Sequence, residues 1–315
     1  MILSVSRRTD IPALYSDWFF NRLEEGYVLV RNPMSIHQVS RIRLSPDVID
    51  CIVFWSKNPH PMLSRLAELE GYNYYFQFTV NAYGSDIEKN IQPLEARINT
   101  FKQLVQAIGP ERVIWRYDPI ILTEKYTTEY HLEHFEQIAA SLHGLTKQCN
   151  ISFIDVYPKL QRNLENKGIH EMTEEEIFYI ASIMAQISGT HGIRLKTCAE
   201  KIDLSQLGIE HAHCIDENLI SQLVGKPLKS AKDKNQREEC GCVSSIDIGQ
   251  YNTCTNGCSY CYANFNPTLT ERNHAEHDPQ SSMLIGKIQD GDKITDREMK
   301  SLIISNEQIS FLDKM

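Results

Sequence analysis

The 315 residues suffice for one large domain or two small ones, and 42% hydrophobic with 23% charged residues describe a globular chain with ample core. With 32 Lys and Arg against 41 Asp and Glu the net charge is −9, which argues against a partner gripped chiefly through nucleic-acid phosphates, although a local basic groove stays open. No apolar run reaches the length of a membrane span, and Arg7-Arg8 arrives before a signal-peptide core could form, so a cytoplasmic protein with no membrane partner is expected.

In chain order, short β-rich runs alternate with amphipathic stretches. Met1–Ser6 reads as a strand, followed by a helix near 16–25; Asp50–Trp55 reads as a strand, followed by a helix near 60–70. Tyr72–Val80 and a helix at 87–108 come next, then Arg112–Tyr117 and a helix at 127–143. Asn150–Tyr157 precedes a helix at 173–188, whose start carries the capping-box pattern Thr173-Glu-Glu-Glu176. Ile193–Thr197, a helix at 217–224 and the strand Val243–Gly249 complete the series. Seven strands with interleaved helices predict an α/β protein built as a full or partial (β/α) barrel, of the TIM-barrel type, over residues 1–265. Gly225–Glu239 is polar and charge-rich and reads as a linker or lid; 240–264 forms a cysteine-bearing loop, and 266–315 a polar tail or extension without an assigned role.

The loop holds the densest chemistry. Cys254, Cys258 and Cys261 are spaced x3 and x2, with Tyr260 before the last thiol. Four thiolates would close a tetrahedral metal site; three in this spacing leave one corner of a cluster open, where a ligand can bind. The pattern resembles the C-x3-C-x-aromatic-C signature of the radical S-adenosylmethionine (SAM) superfamily, and the bland alternative is part of a zinc knuckle. Tyr260-Cys261-Tyr262-Ala263-Asn264 is similar to the cysteine loop of spore photoproduct lyase. Ser4-Val5-Ser6-Arg7-Arg8-Thr9-Asp10 and Asp247-Ile248-Gly249-Gln250-Tyr251 resemble an uncharacterised bacterial family with a C-terminal radical-SAM-like cysteine cluster.

The resemblance implies a [4Fe-4S] cluster on those three thiolates, with SAM bound at its open iron. It implies reductive cleavage of SAM to a 5′-deoxyadenosyl radical that abstracts hydrogen, and an electron donor such as a flavodoxin or ferredoxin. In that superfamily the cysteine loop follows the first barrel strand; here its strand is last. A circular permutation is therefore expected, with Val243–Gly249 lying beside Met1–Ser6. The superfamily's Gly-Gly-Glu type element for the SAM amine is absent after Cys261.

Seven of the nine cysteines fall between 198 and 261. Outside the triad, Cys198, Cys214, Cys240 and Cys242 are the right number for a second iron–sulfur cluster or a zinc site; the alternative is ordinary buried thiols. His211 and His213 flank Cys214 and could replace a thiolate. Cys51, in an apolar run, reads as core.

Barrel enzymes carry their chemistry just past the strand ends. Those positions are Arg7, Arg8, Asp10, Ser56, Lys57, Asn58, Thr79, Asn81, Arg116, Asp118, Asp155, Lys196, Glu200 and Asp247. Lys57, Arg116, Asp118 and Lys196 are the catalytic candidates, with the lysines suited to an anionic substrate. Tyr260, Arg8, Asn81 and Arg116 are the cofactor-binding candidates, although Arg116 and Asp118 share a strand face and could simply pair. His131 and His134 share a helical face but read as solvated surface, and His274 and His277 as exposed tail. A small-molecule or peptide substrate is expected. The other open readings are non-radical SAM-dependent group transfer and a zinc-stapled binding module without catalysis.

Overall fold

A computed structural model describes residues 1–156, 161–169 and 171–304. In chain order its strands are β1 (Ile2–Val5), β2 (Tyr27–Asn32), β3 (Ser35–Arg43), β4 (Cys51–Ser56), β5 (Tyr74–Thr79), β6 (Val113–Ile120), β7 (Gln148–Phe153), β8 (Arg194–Thr197), β9 (Glu210–His211), β10 (Ile246–Asp247) and β11 (Lys293–Asp296). The α-helices are α1 (Ile11–Leu14), α2 (Ser16–Glu25), α3 (Leu94–Ile108), α4 (Thr128–Ser141), α5 (Gln161–Glu165), α6 (Glu174–Thr190), α7 (Glu217–Val224) and α8 (Pro267–Ala275).

Eight strands form one parallel sheet in the order β10-β1-β4-β5-β6-β7-β8-β9. The last strand of the series does lie beside the first: Leu3 pairs with Ile246 and Ser4 with Asp247. Asp247 fastens that joint, accepting from Ser4 Oγ at 2.6 Å, Ser6 Oγ at 2.7 Å and the Arg7 and Gly249 amides at 2.9 Å. Gly249 is needed here because a Cβ would stand 2.0 Å from Ser6 Oγ.

Alternation along the strands explains the two faces. Leu3, Val5, Ile52, Phe54, Phe76, Phe78, Val113 and Trp115 point to the main core, which α2, α3, α4 and α6 supply with Trp18, Phe19, Phe101, Phe135 and Met184. Ile2, Cys51, Val53, Tyr75 and Ile114 point the other way. There they meet Cys214, Ile215, Ile220, Cys242 and Val243 from the segment after β9, and Tyr75 Oη and Gln77 Nε2 donate to the Cys214 carbonyl at 2.7 and 3.0 Å. That segment fills the inner face, and both sheet edges, β9 and β10, are only two residues long. The sheet stays open, so the closed barrel is not what forms; an open, barrel-like α/β sheet is.

Other boundaries also moved. The stretch 60–70 is a 3-10 segment, His60–Leu69, and α3 starts at Leu94, after Pro93. β7 ends at Phe153, and Tyr157, the expected end of its run, lies outside the described residues. The hairpin β2–β3 was not foreseen, because β3 buries only Val39 and Ile42 and shows no apolar run. Residues 266–304 are an integral layer: β11 pairs with β3, Trp18 Nε1 donates to the Ser281 carbonyl at 2.9 Å, and Met283, Leu284 and Ile285 are buried. Residues 305–315, the end of the expected tail, lie outside the described residues.

His131 corrects the reading of a solvated helix face. It is fully buried, with Nε2 2.8 Å from the Ile121 carbonyl and Nδ1 2.8 Å from Tyr117 Oη. A carbonyl only accepts, so Nε2 carries the proton and Nδ1 accepts from the tyrosine. Its partner His134 stacks on Tyr130 and bonds the Tyr130 carbonyl at 2.8 Å. Burial pushes the His131 pKa down to about 4, against the raising effect of its carbonyl bond. The unfolded chain then binds the proton first as pH falls, so stability is full above about 6.5 and declines towards pH 4. The loss is on the order of 3 kcal/mol. Denaturant unfolding of the parent and His131→Gln across that range should give a visibly flatter pH dependence for the variant.

Candidate functional site

At the carboxyl ends of the parallel strands, where open α/β sheets place their ligands, the chain encloses a cavity of about 320 Å³. β1 leads into Ser6 and Arg7, β4 into Lys57, and β6 carries Arg116, Asp118 and Pro119. Phe153 ends β7 and Asp155 follows it, and Cys198 follows β8. Cys214, Cys240, Cys242, Tyr260, Cys261 and Tyr262 complete much of the wall, and Gln236 and Arg237 from the polar 225–239 segment reach it too. That segment is anchored, with the Asp233 amide donating to the Cys242 carbonyl at 2.9 Å and Arg237 paired with Asp155. Its lid-like position over the strand ends is therefore fixed by both backbone and charge.

The cysteine loop is held from both sides. Asn264 Oδ1 accepts from the Thr253 and Cys254 amides at 2.8 Å, and its Nδ2 reaches Cys261 Sγ at 3.4 Å. Tyr15 Oη donates to the Thr253 carbonyl at 2.5 Å. Across the loop, the Ser259 amide donates to the Ile87 carbonyl at 2.9 Å and the Asn90 amide to the Asn256 carbonyl at 3.0 Å. Cys254, Cys258 and Cys261 are half-buried free thiols, and all three interact electrostatically. Burial pushes the Cys254 pKa up to about 12. Burial raises Cys258 well above the usual thiol range too, while the nearby Lys57 ammonium works to lower it. Of the three, Cys261 lines the cavity.

Glu88 is the functional residue that sequence reasoning missed. Its buried carboxylate accepts from Lys57 Nζ at 2.8 Å, from Tyr260 Oη and from Asn81 Nδ2 at 3.2 Å, with Arg97 Nη1 3.9 Å away. Burial alone would raise its pKa, but Lys57, Arg97 and these hydrogen bonds hold it below the usual glutamate range. Tyr260 therefore anchors the loop through Glu88 while its ring stays on the cavity wall. The signal lay in Pro93: starting α3 there leaves 84–91 as the loop after β5, at the carboxyl edge of the sheet.

The other candidates divide. Arg116 and Asp118 both line the cavity and form a two-pronged ion pair, Nε to Oδ1 at 3.2 Å with a second Nη2–Oδ2 contact. Arg116 Nη1 also donates to Cys214 Sγ at 2.7 Å. Lys57 and Thr79 line the cavity. Arg8 does not; it lies 5.0 Å over the Tyr251 ring, and Arg7 takes its place, 5.2 Å over Trp55. Asn81 sits behind the wall, donating to the Asp118 carbonyl at 2.8 Å. Lys196 is also off the cavity because its cross-strand neighbour Glu210 binds it at 3.2 Å.

Asp10 ties α1, β4 and the loop together through the Ala13 amide, Ser56, the Lys57 amide and Asn256. Glu200 accepts from the Phe153 amide at 2.9 Å, and burial lifts its pKa to about 7. His211 bonds Thr197 Oγ1 at 3.1 Å, and His213 packs against Gly241; neither lines the cavity. His274 is exposed, but Tyr15 Oη meets its Nδ1 at 3.0 Å; His277, expected exposed, is half-buried and reaches the Leu284 carbonyl at 2.8 Å.

Cys198, Cys214, Cys240 and Cys242 come from three separate segments and meet on the cavity wall, with Cys198 and Cys214 sulfurs 3.0 Å apart. As they stand, no group of three or more His, Cys, Asp or Glu side chains among the described residues is arranged to hold a single metal ion. Cluster ligands each bind a different iron and so stand wider than the ligands of one ion.

No curated protein matches the chain. The model of DUF1848, a domain of unknown function, matches residues 2–263, from β1 to just past Cys261. With that match covering most of its length, the chain belongs to the DUF1848 family.

Proposed function

We propose that this protein is a radical SAM enzyme acting on a small molecule or peptide. The observation that carries the reading is the position of the cysteine loop: directly after β10, beside β1, with Cys261 on the wall of a cavity at the strand ends. The donor set fits a [4Fe-4S] cluster on Cys254, Cys258 and Cys261. Its three free thiols share one pinned loop, and Lys57 offsets part of the penalty that burial puts on the Cys258 thiolate. Bound there, the cluster would supply the electron that splits SAM into methionine and a 5′-deoxyadenosyl radical, drawing on a flavodoxin- or ferredoxin-like donor.

The chain's own residues bind, orient and exclude water. Arg7 carries a buried Nη2 with no hydrogen-bond partner among the described residues, and it is the guanidinium best disposed to take a carboxylate. Arg116 is occupied by Asp118 and Cys214, so it shapes the wall instead of gripping an incoming acid. Trp55, Phe153, Tyr260 and Tyr262 give the cavity aromatic surface suited to a planar or apolar group. Gln236 and the Arg237–Asp155 pair restrict solvent from the lid side.

The test is anaerobic reconstitution of the full chain with iron and sulfide, followed by SAM and dithionite. Iron and sulfide incorporation with 5′-deoxyadenosine formation is expected. Full folding with zinc, no iron and no 5′-deoxyadenosine would overturn the enzyme reading in favour of a zinc-stapled module.

A further inference from the structure

The other four clustered thiols make a site of their own. Cys198 follows β8, Cys214 lies between β9 and α7, and Cys240 and Cys242 precede β10. The Cys198 and Cys214 sulfurs stand 3.0 Å apart, and Cys240 and Cys242 line the same cavity wall and pack with Cys214 in one buried cluster. The Ile215 amide also donates to Cys242 Sγ at 3.4 Å. Cys149 shows what an ordinary buried thiol looks like in this fold: it sits among the apolar side chains of the main core, apart from this group.

The surrounding charge points the same way. Arg116 Nη1 donates to Cys214 Sγ at 2.7 Å, and Arg7 interacts electrostatically with Cys242, Cys214 and Cys240. Arg7 has one acidic neighbour within ion-pair range, Asp233 at 3.8 Å, and its Nη2 is buried without a hydrogen-bond partner among the described residues. Arg116 is already matched by Asp118, but Arg7 packed against neutral thiols gains little for its desolvation; packed against thiolates it is matched. Four adjacent thiolates, in turn, repel one another unless a cation sits between them. A divalent ion on four thiolates leaves a charge of about −2, which Arg7 and the Sγ-facing side of Arg116 offset in part.

We propose that Cys198, Cys214, Cys240 and Cys242 form a second metal site, a closed four-thiolate centre for a thiophilic metal, on the cavity wall that Cys261 also lines. The chemistry suits a zinc ion or an iron–sulfur cluster equally. The Cys198 and Cys214 sulfurs now share a hydrogen bond at 3.0 Å. Around zinc, with Zn–S of about 2.3 Å, tetrahedral sulfurs stand about 3.8 Å apart. Metal entry therefore displaces the shared proton and parts Cys198 from Cys214, a side-chain adjustment. Because all four ligands come from the protein, this centre has no open position; its role is to hold the segments carrying Cys198, Cys214 and Cys240–Cys242 as one wall of the cavity. The site does not rest on the radical SAM reading.

The experiment uses the full chain carrying Cys254→Ala, Cys258→Ala and Cys261→Ala, so the triad contributes no metal. Purified anaerobically, this protein is expected to retain about one zinc per chain, or iron and sulfide in equal amounts. Either result supports the site and tells which metal it takes. Adding Cys198→Ser or Cys240→Ser should lower the retained metal at least tenfold, whereas adding Cys149→Ala should not. Cobalt(II) titration of the triad variant, stripped of metal, gives a readout independent of the further substitutions: a thiolate-to-cobalt absorption band is expected. A triad variant that folds, retains no metal and gives no cobalt band would overturn the proposal. So would retained metal that survives both serine substitutions. Absence of 5′-deoxyadenosine from the parent, by contrast, would sink only the radical SAM reading.

Discussion

Cys258→Ala is expected to lower 5′-deoxyadenosine formation by at least a thousandfold, an increase of about 4 kcal/mol in the effective barrier, with the far-UV circular dichroism unchanged. The loop's fold does not depend on this sulfur: the Glu88–Cys258 bridge, the Ser259 amide bond and the Asn264 side chain all engage backbone or other residues. The thiol itself is what no neighbour can replace: Lys57 is a cation and not a ligand, and the Glu88 carboxylate is held by Lys57, Tyr260 and Asn81. Cys149→Ala is the matching control, since Cys149 is buried in the apolar core and lines no part of the cavity. It should cost on the order of 1–2 kcal/mol of stability and leave turnover per folded molecule unchanged. The comparison requires reconstituted, anaerobic protein in both cases. Turnover by Cys258→Ala within tenfold of the parent would show that the three thiols do not act as one ligand set.

The parts of this molecule that could be read from sequence are those where one local signal decides. Parallel strands buried on both faces leave apolar runs such as Cys51–Trp55, and the capping box at Thr173 fixes the start of α6. The adjacency of β10 and β1 was expected from the resemblance, in which the cysteine loop follows the first strand, and Asp247 is the residue that makes it physical. Closure was not readable, because it depends on what fills the inner face. The 212–243 segment does so with Cys214, Ile215 and Val243, side chains that show no strand or helix period. The meeting of four cysteines was suggested by their number, but their contact required the fold. Arg7 and Arg8 are neighbours with identical chemistry, and only the turn after Val5 decides which faces the cavity. His131 was misread for a related reason: polar neighbours on α4 suggested water, yet Tyr117 and the Ile121 carbonyl wait opposite it.

Glu88→Gln should destabilise the protein by about 3–5 kcal/mol, the usual consequence of removing one partner from a buried ion pair. The amide fits the same space, so packing is nearly preserved and charge is what changes. Lys57 and Arg97 would be left as buried cations with no carboxylate between them, and Tyr260 would lose the charged acceptor that anchors it. Since Tyr260 precedes Cys261, the loss should reach the cysteine loop as well as the core, raising exchange of the 259–262 amides in hydrogen-exchange measurements. The pH dependence separates this contribution from that of His131. Glu88 has a folded pKa below its unfolded value of 4.5, so its stabilisation is complete above about pH 4.5 and is lost only as pH falls through the depressed folded pKa. His131 acts between about 6.5 and 4. Between pH 7 and 5 the Glu88 contribution is constant and every other titration is shared with the parent, so Glu88→Gln should start several kcal/mol lower and run parallel to it. A variant within 1 kcal/mol of the parent at pH 7 would mean that Lys57 and Arg97 find other partners, and that Glu88 does not organise the strand-end loop.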